Sequence, residues 1–386
     1  MRLFVGFAIF ICFIFSFGCV KDVQGPSFIP TTEGTGWDFG SSLGMNSRSQ
    51  ASPVKIGDRI FLTMMEGAVY AFDAEKGKQI DPKTCSFRIP QGIRSSPVEK
   101  DAVIYFGAFD KKLHAFDTKS CQEIFSFETN GYISATPLIV DNTIYFGSYD
   151  GKFRAIDLTS RRLSWEYDCG SKIRGGASKT TDGVVFGSAK GNVINLNRSN
   201  GAELWVFESK GEIYGAPVAQ SEIVVFGSRD GEVRALYESN GALYWEFTPP
   251  ENGYKYKEEF WISPTVDETT AYIGSTWGVL YALKLRPESG KAELVWEPFA
   301  TKDKIGRSEY IFSEAVINGD NILFGCNDGN LYCVDRLTGT KRWGFETFGE
   351  IRSKPLVDGD RVIFPSNDHY FYALNISDGQ PVRGKP

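Results

Sequence analysis

The sequence predicts an all-β fold, an eight-bladed β-propeller of four-stranded antiparallel blades closed by an N-terminal strand. A segment similar to "TIYFGSYDGKFRAIDLTSRRLSW" recurs along the chain at intervals of 40 to 51 residues. Self-similarity at about this period is typical of propellers built from four-stranded units. The composition agrees, because 30 Phe, 17 Tyr, 8 Trp and 41 Gly provide many strand-forming rings and turn-forming glycines.

Each copy of the repeat contains the same four elements in order. A small residue, a proline and an apolar residue open the first strand, as in "SPV" at Ser52. A strand that is apolar on both faces follows, as expected for a blade covered by two neighbours. Turns such as Asp150-Gly151 provide the positive φ angles of a tight hairpin. A fourth strand ends in an aromatic residue, namely Phe87, Phe125, Trp165, Trp205, Trp245, Trp296 or Trp343.

We expect the two ends of the chain to complete the eighth blade together. No closing aromatic strand follows the last hairpin, whereas "GWDF" at 36–39 precedes the first opening. A strand from the N-terminus that completes the last blade would close the ring and leave no exposed edge. We therefore expect one propeller domain over residues 36–386.

The first 18 residues differ from the rest of the chain. They contain Arg2 and then an apolar run that is too short to span a bilayer comfortably, which predicts a signal peptide. Gly18-Cys19 resembles a bacterial lipoprotein cleavage site, although Ser16 and Phe17 depart from the usual pattern. We expect Cys19 to be acylated and residues 19–35 to be a lipidated tether. The alternative is ordinary secretion with Cys19 in a flexible tail.

Charge and cysteine usage narrow the function further. The net charge of −6, with both signs interspersed, disfavours a nucleic-acid partner. Five cysteines follow the leader and Cys19, at irregular spacing, which is not a disulfide framework. One bridge is conceivable, Cys85–Cys121 or Cys326–Cys333, but we expect small buried thiols instead.

Two copies, "YFGSYDGKFRAIDLTSRRLSW" and "LFGCNDGNLYCVDRLTGTKRW", resemble the repeat of pyrroloquinoline-quinone-type propellers. The resemblance covers about residues 36–380. One family with this repeat, the quinoprotein dehydrogenases, holds its quinone with a vicinal Cys-Cys pair and a calcium ion. This chain has no such pair, and its length, its leader cysteine and its number of repeats resemble the BamB-like outer-membrane assembly lipoproteins.

The BamB-like resemblance implies a non-catalytic scaffold without a cofactor or metal. Such a protein would be a monomeric lipoprotein of the outer membrane, facing the periplasm and binding the β-barrel insertase during outer-membrane protein assembly. Two alternatives stay open. One is a generic PQQ-like-repeat binding propeller at the cell envelope, and the other is a quinone-dependent dehydrogenase.

The same resemblance suggests a contact loop. The insertase-binding loop of BamB-like proteins is similar to Ile173-Arg174-Gly175 at a junction between two repeats. "IRS" also occurs at Ile93 and Ile351, so Arg174 is either a partner contact or a recurring position of the repeat.

Two insertions supply further candidate contacts. Residues 248–262 and 297–312 lengthen neighbouring junctions on one face, and aromatic residues with mixed charges suit a protein contact. Tyr256, Phe260, Trp261 and Tyr310 are the candidates there. The alternative is that these are long loops packed on each other.

No catalytic histidine is expected. His114 occupies a repeat position that other copies fill with Tyr, Arg or Ile, and His369 a turn position usually filled by Gly. Positions filled by unrelated residues are structural, which disfavours a triad or a zinc site. Asp73, Asp117, Asp157 and Asp335 end strands before turns, and we expect them to cap those turns.

Overall fold

The computed structural model describes residues 48–81, 83–250, 257–301 and 310–382. Within these ranges the chain forms eight antiparallel sheets, seven with four strands and one with three. The eight-bladed propeller predicted from the repeat is therefore confirmed. None of these residues is helical, and thus no described segment is a helix long and apolar enough to cross a bilayer.

Each blade follows the chain order of its strands. The first four blades consist of β1 Val54–Ile56, β2 Arg59–Thr63, β3 Ala68–Asp73 and β4 Ser86–Arg88; β5 Val98–Lys100, β6 Val103–Gly107, β7 Lys112–Asp117 and β8 Gln122–Glu128; β9 Leu138–Val140, β10 Thr143–Gly147, β11 Lys152–Asp157 and β12 Arg162–Asp168; and β13 Ala177–Lys179, β14 Gly183–Gly187, β15 Asn192–Asn197 and β16 Glu203–Glu208.

The second half repeats this arrangement. Its blades consist of β17 Val218–Gln220, β18 Ile223–Gly227, β19 Val233–Tyr237 and β20 Leu243–Phe247; β21 Thr265–Val266, β22 Thr270–Gly274, β23 Val279–Lys284 and β24 Phe299–Ala300; β25 Val316–Asn318, β26 Asn321–Gly325, β27 Asn330–Asp335 and β28 Lys341–Glu346; and β29 Leu356–Asp358, β30 Arg361–Pro365 and β31 Phe371–Asn375.

The second strand of each blade is its most buried element. Every residue of β6, β14 and β18 is buried, because neighbouring blades cover both faces of the sheet. Phe106, Phe186 and Phe226 lie at the same place in the second strands of three blades and are fully buried. Burial of each such ring stabilises the fold by about 1.5–3 kcal/mol. The outer strands, such as β12, alternate exposed and half-buried residues instead.

The closing tryptophans join neighbouring blades. The Trp165 indole donates to the carbonyl of Arg198 in the next blade at 2.9 Å. Its ring lies over Gly201, where a Cβ would come within 2.6 Å of ring atom Cε3. Gly201 also has a φ of +72°, so both the close approach and the backbone conformation require glycine. The same Trp-over-Gly contact recurs at Trp205 with Gly241, Trp296 with Gly339 and Trp343 with Gly379.

No Trp-over-Gly contact joins the first blade to the second, and a disulfide between these two blades replaces it. Cys85 and Cys121 are bonded, with Cα atoms 5.0 Å apart. Cys121 has a φ of 56° at the repeat position of Gly201. The expectation of free thiols is therefore wrong for this pair, because blade docking places the two positions side by side. It is correct for Cys326 and Cys333, which are buried and form no disulfide.

The inner strands of the eighth and first blades close the ring. The Lys354 amide donates to Ser52 Oγ at 3.1 Å, and Lys55 forms an ion pair with Asp358. The rings of Phe72 and Phe371 lie 4.8 Å apart. The predicted closing strand at 36–39, like the leader and Cys19, lies outside the described residues.

Aspartates at the strand ends cap turns, as predicted. Asp335 Oδ1 accepts hydrogen bonds from the amides of Leu337 at 3.0 Å and Thr338 at 2.9 Å. Together with a hydrogen bond from Arg342, these lower the pKa of Asp335 to about 2. Asp73 and Asp117 accept equivalent bonds.

Candidate functional site at one mouth of the central channel

The loops that join one blade to the next surround one mouth of the central channel. The first strands of successive blades contact each other, so they are innermost and the junction loops precede them at the channel. In the third junction, Ile173 is fully buried and packs on Gly147, where a Cβ would lie 2.1 Å from Ile173 Cγ2. We call this position the wedge. It is Ile133, Ile213, Phe260, Ile311 and Ile351 in other junctions.

The residue after each wedge lies at the channel mouth. These residues are Arg94, Ser134, Arg174, Tyr214, Trp261, Phe312 and Arg352. The hairpin turn between the second and third strands is bonded to the same loop, through a backbone bond to the residue before the wedge, as from the Arg229 amide to the Glu212 carbonyl at 3.1 Å. The mouth is thus lined by two sets of positions, one from the junction loops and one from the turns.

Arginine and aromatic side chains alternate around part of this mouth. The Arg174 guanidinium lies 5.1 Å from the Tyr149 ring and 4.8 Å from the Tyr214 ring. Arg229 lies 5.2 Å from the Tyr214 ring and 5.2 Å from the Trp261 ring. Each cation–π contact stabilises this arrangement by about 0.5–2 kcal/mol.

Further rings extend the series in both directions. Trp261 lies 5.4 Å from Phe312 and 6.2 Å from Tyr310. At the other end Tyr132, whose side chain is 48% exposed, lies 6.2 Å from Tyr149 and 5.5 Å from Phe109. We call the whole series the mouth surface; it consists of Phe109, Tyr132, Tyr149, Arg174, Tyr214, Arg229, Trp261, Tyr310 and Phe312.

Acidic side chains neutralise one of the two arginines of the mouth surface. Arg229 lies 2.8 Å from Glu212 and 2.9 Å from Glu259, and these hydrogen bonds raise its pKa. Burial alone would raise the pKa of Glu212, but hydrogen bonds from Tyr214 and Arg229 outweigh it and lower the pKa. Arg174 has no ion pair within the described residues, and its Nη1 donates to the Tyr149 hydroxyl at 3.2 Å.

The residues chosen from the sequence fall into two groups. Arg174, Trp261 and Tyr310 lie together on the mouth surface. Ile173 and Phe260 are fully buried wedges and serve to position the residues after them.

Two more candidates complete the set. Gly175 is required by packing, since a Cβ there would lie 2.4 Å from the Tyr214 carbonyl oxygen. Tyr256 lies outside the described residues.

Sequence reasoning did not single out Tyr149, Tyr214, Arg229 and Phe312. The signal that finds them is positional, because each follows a wedge or occupies the second turn position after the strand-ending glycine. The same alignment applies to Arg174, whose contact with a partner stays a prediction. Arg94, Arg174 and Arg352 occupy one repeat position, and that position is itself the one at the mouth.

His114 occupies a structural position, as expected. It is buried between Asp110, 3.0 Å from Nε2, and Glu123, 2.6 Å from Nδ1. Arg154 and Arg234 occupy the same third-strand position in other blades and bind the turn aspartate four residues earlier in the same way. The described ranges contain no group of His, Cys, Asp and Glu that could hold a metal ion.

The sixth blade varies this arrangement. Its turn has Trp277 in place of the aspartate, and Glu258 from the junction loop accepts the hydrogen bond instead, from the Tyr281 hydroxyl at 3.0 Å. Glu258 is buried, and burial raises its pKa. Glu258 thus has a structural role, as an acceptor for the third strand.

The family model of the outer membrane protein assembly factor BamB matches this chain over residues 66–206 and 170–385. A search of curated proteins finds no significant match. Among solved structures, the computationally designed protein Ika8 is 17% identical, with a TM-score of 0.72, and the alignment covers 89% of this chain and 100% of that one.

Two natural proteins are similar in structure. BamB from Moraxella catarrhalis is 18% identical with a TM-score of 0.67, over 84% of this chain and 94% of that one. The quinohemoprotein alcohol dehydrogenase ADHIIG from Pseudomonas putida HK5 is 13% identical with a TM-score of 0.63, over 86% of this chain and 72% of that one. At these identities the structures show the propeller fold alone. Because the family model spans nearly the whole propeller, the chain belongs to the BamB family of PQQ-type repeat propellers.

Proposed function

We propose that the chain is a non-catalytic scaffold of the outer membrane, which faces the periplasm, binds the β-barrel insertase and assists outer-membrane protein assembly. Family membership gives the class of protein. The observation that carries the proposal is the mouth surface, a continuous series of arginine and aromatic side chains that includes Arg174 and Trp261.

The composition of this surface suits a protein partner. Tyr, Trp and Arg are the residue types that contribute most to binding energy at protein interfaces. The wedges, the closing tryptophans and the third-strand hydrogen bonds already hold the blades together. The residues that follow the wedges are therefore free to differ between repeats, and three successive junctions have an aromatic residue there, Tyr214, Trp261 and Phe312.

The residues do not fit a quinone-dependent dehydrogenase. The vicinal Cys-Cys pair that the resemblance to those enzymes requires does not occur in the sequence. The described residues also contain no group of three or more His, Cys, Asp or Glu side chains that could hold a metal ion. The similarity to a quinohemoprotein dehydrogenase is one of fold.

We propose that the N-terminal sequence attaches the protein to the membrane. Cys19 after the apolar leader is the proposed acylation site, and residues 19–35 are the proposed tether. Because acyl chains contribute about 0.8 kcal/mol per buried CH₂, a lipidated Cys19 would hold the propeller at the membrane without a spanning segment.

Affinity purification from native membranes tests the function. The wild-type protein, Trp261→Ala and a matched control, Arg162→Ala on the outer strand β12, would be purified after mild crosslinking. We expect the insertase with the wild type and the control, and at least a tenfold loss with Trp261→Ala. Good recovery of the wild-type bait without any insertase would contradict the assignment to the assembly machinery.

A further inference from the structure

Trp261 differs from the closing tryptophans in the acceptor of its indole N–H. A closing tryptophan such as Trp205 donates to a backbone carbonyl of the next blade, that of Glu238, at 2.7 Å. The indole of Trp261 donates instead to a side chain of its own junction loop, Glu259 Oε2, at 2.5 Å. The Trp261 side chain is half-buried and belongs to the mouth surface. This hydrogen bond therefore orients a ring of the mouth surface.

The backbone of Glu259 is itself held in place. Its amide donates to Thr276 Oγ1 at 2.9 Å, and its carbonyl oxygen accepts from the Thr276 amide at 3.0 Å. The next residue, Phe260, is a fully buried wedge. Two backbone hydrogen bonds and a buried neighbour thus fix the position from which the Glu259 carboxylate holds the indole.

The charges beside the Trp261 ring are paired within the protein. Glu259 Oε2 also accepts from Arg229 Nε at 2.9 Å. Arg229 Nη1 donates to Glu212 at 2.8 Å and to the Tyr214 hydroxyl at 3.1 Å. Because two carboxylates face one guanidinium, an acidic partner segment would be repelled here. A basic segment would compete with Arg229, whose guanidinium already lies 5.2 Å from the Trp261 ring.

This end of the mouth surface therefore offers a partner its aromatic rings. Trp261 lies 5.6 Å from Tyr214 and 5.4 Å from Phe312. Beyond them Arg352, which is paired with Glu350 at 2.9 Å, lies 5.0 Å from the Phe312 ring. A polar group that loses water without gaining a hydrogen bond costs free energy. Since the Trp261 N–H already has its acceptor, an apolar side chain can cover the ring without this cost.

We propose that Glu259 is a positioning residue, which orients Trp261 so that its ring forms an apolar contact with the partner. The partner segment that covers Tyr214, Trp261 and Phe312 presents an uncharged aliphatic side chain, such as that of leucine. A ring that is fixed before binding loses less conformational entropy in the complex. This inference rests on the proposed function, because it names the chemistry of the partner at the same surface.

Nuclear magnetic resonance of the full protein, labelled with ¹⁵N-tryptophan, tests the positioning role. The indole signal lost in Trp261→Phe identifies Trp261, and the hydrogen-exchange rate of that signal is measured. Since exchange reports local opening, Glu259→Ala should raise the rate at least about tenfold. Glu259→Gln, which retains an acceptor oxygen, should stay close to the wild-type rate, as should Glu128→Ala on the exposed end of β8. A wild-type rate in Glu259→Ala would overturn the positioning role.

Three small probes test the chemistry of the partner, namely the N-acetyl amides of leucine, aspartate and lysine. We expect the leucine probe to shift the Trp261 indole signal saturably, with an affinity at least about threefold higher than that of either charged probe. Glu259→Ala should weaken the leucine response, and Glu259→Gln should retain it. Tighter binding of a charged probe, or no saturable shift with the leucine probe, would overturn the apolar contact.

Neither measurement needs the insertase, so the two proposals fail separately. An intact leucine response in a protein that captures no insertase would contradict the proposed partner alone. Capture of the insertase without a leucine response would contradict the apolar contact alone.

Discussion

The disulfide between the first two blades should stabilise the ring measurably. Cys85 and Cys121 are separated by 36 residues in sequence. The loop-closure entropy removed from the unfolded chain by a bridge of this length corresponds to about 4 kcal/mol. Unfolding entropy is about 2.1 cal/mol/K per residue, so for a propeller of this size the loss amounts to about 5 °C in melting temperature.

Scanning calorimetry checks this difference in melting temperature. It would compare the oxidised wild type, the reduced wild type and the Cys85→Ala/Cys121→Ala variant. Both forms without the bridge should melt at the same lower temperature. A second variant, Phe87→Trp/Cys121→Gly, introduces the Trp-over-Gly pair of the later blades and should recover part of the loss. Equal melting temperatures with and without the bridge would refute the view that it replaces that contact.

Three further changes test other parts of the account. Gly201→Ala places a Cβ 2.6 Å from a tryptophan ring atom and should cost about 2–4 kcal/mol by denaturant titration. Gly57→Ala, with φ +59° but open space, should cost only about 1–2 kcal/mol; equal losses would refute the packing argument. Burial raises the pKa of Glu258, so between its ordinary pKa and its folded-state pKa this carboxyl is ionised in the unfolded chain and protonated in the folded one. The free energy of unfolding of the wild type should therefore decline as pH rises through this range. Glu258→Gln should remove that decline in melting temperature, and parallel pH curves would contradict it. Burial would raise the pKa of Asp358, but hydrogen bonds from Lys55 and Arg361 outweigh this and lower the pKa. The contribution of Asp358 to the free energy of unfolding is therefore full above the ordinary carboxyl pKa and is lost as pH falls through the folded-state pKa. Asp358→Asn should therefore lower stability at neutral pH by about 1–3 kcal/mol and match the wild type in acid; a deficit that persists in acid would argue against the ion pair.

The blade architecture follows from the sequence because its determinants are local. Asp-Gly turns, strands that are apolar on both faces and closing aromatic residues recur within each unit of about 40 residues. His114 could be assigned a structural role for the same reason, since sister repeats showed the position filled by unrelated residues.

The inter-blade features were harder to predict. Pairing of Cys85 with Cys121 depends on how two blades dock, and neither cysteine belongs to a recognisable spacing pattern. Tyr214, Arg229 and Trp261 lie in separate loops or turns, and only the ring of blades brings them together. Of these three, the sequence analysis singled out only Trp261, whereas comparison of equivalent repeat positions would also have found Tyr214 and Arg229.

Site-specific photocrosslinking in intact membranes tests the central claim most directly. A photoreactive residue would replace Trp261 on the mouth surface, or Arg162 on the outer strand β12, and mass spectrometry would identify each adduct. The account predicts adducts to the insertase from position 261 and none from position 162. Adducts from position 162 alone, or none from either with the bait well expressed, would contradict the mouth surface as the partner-binding face.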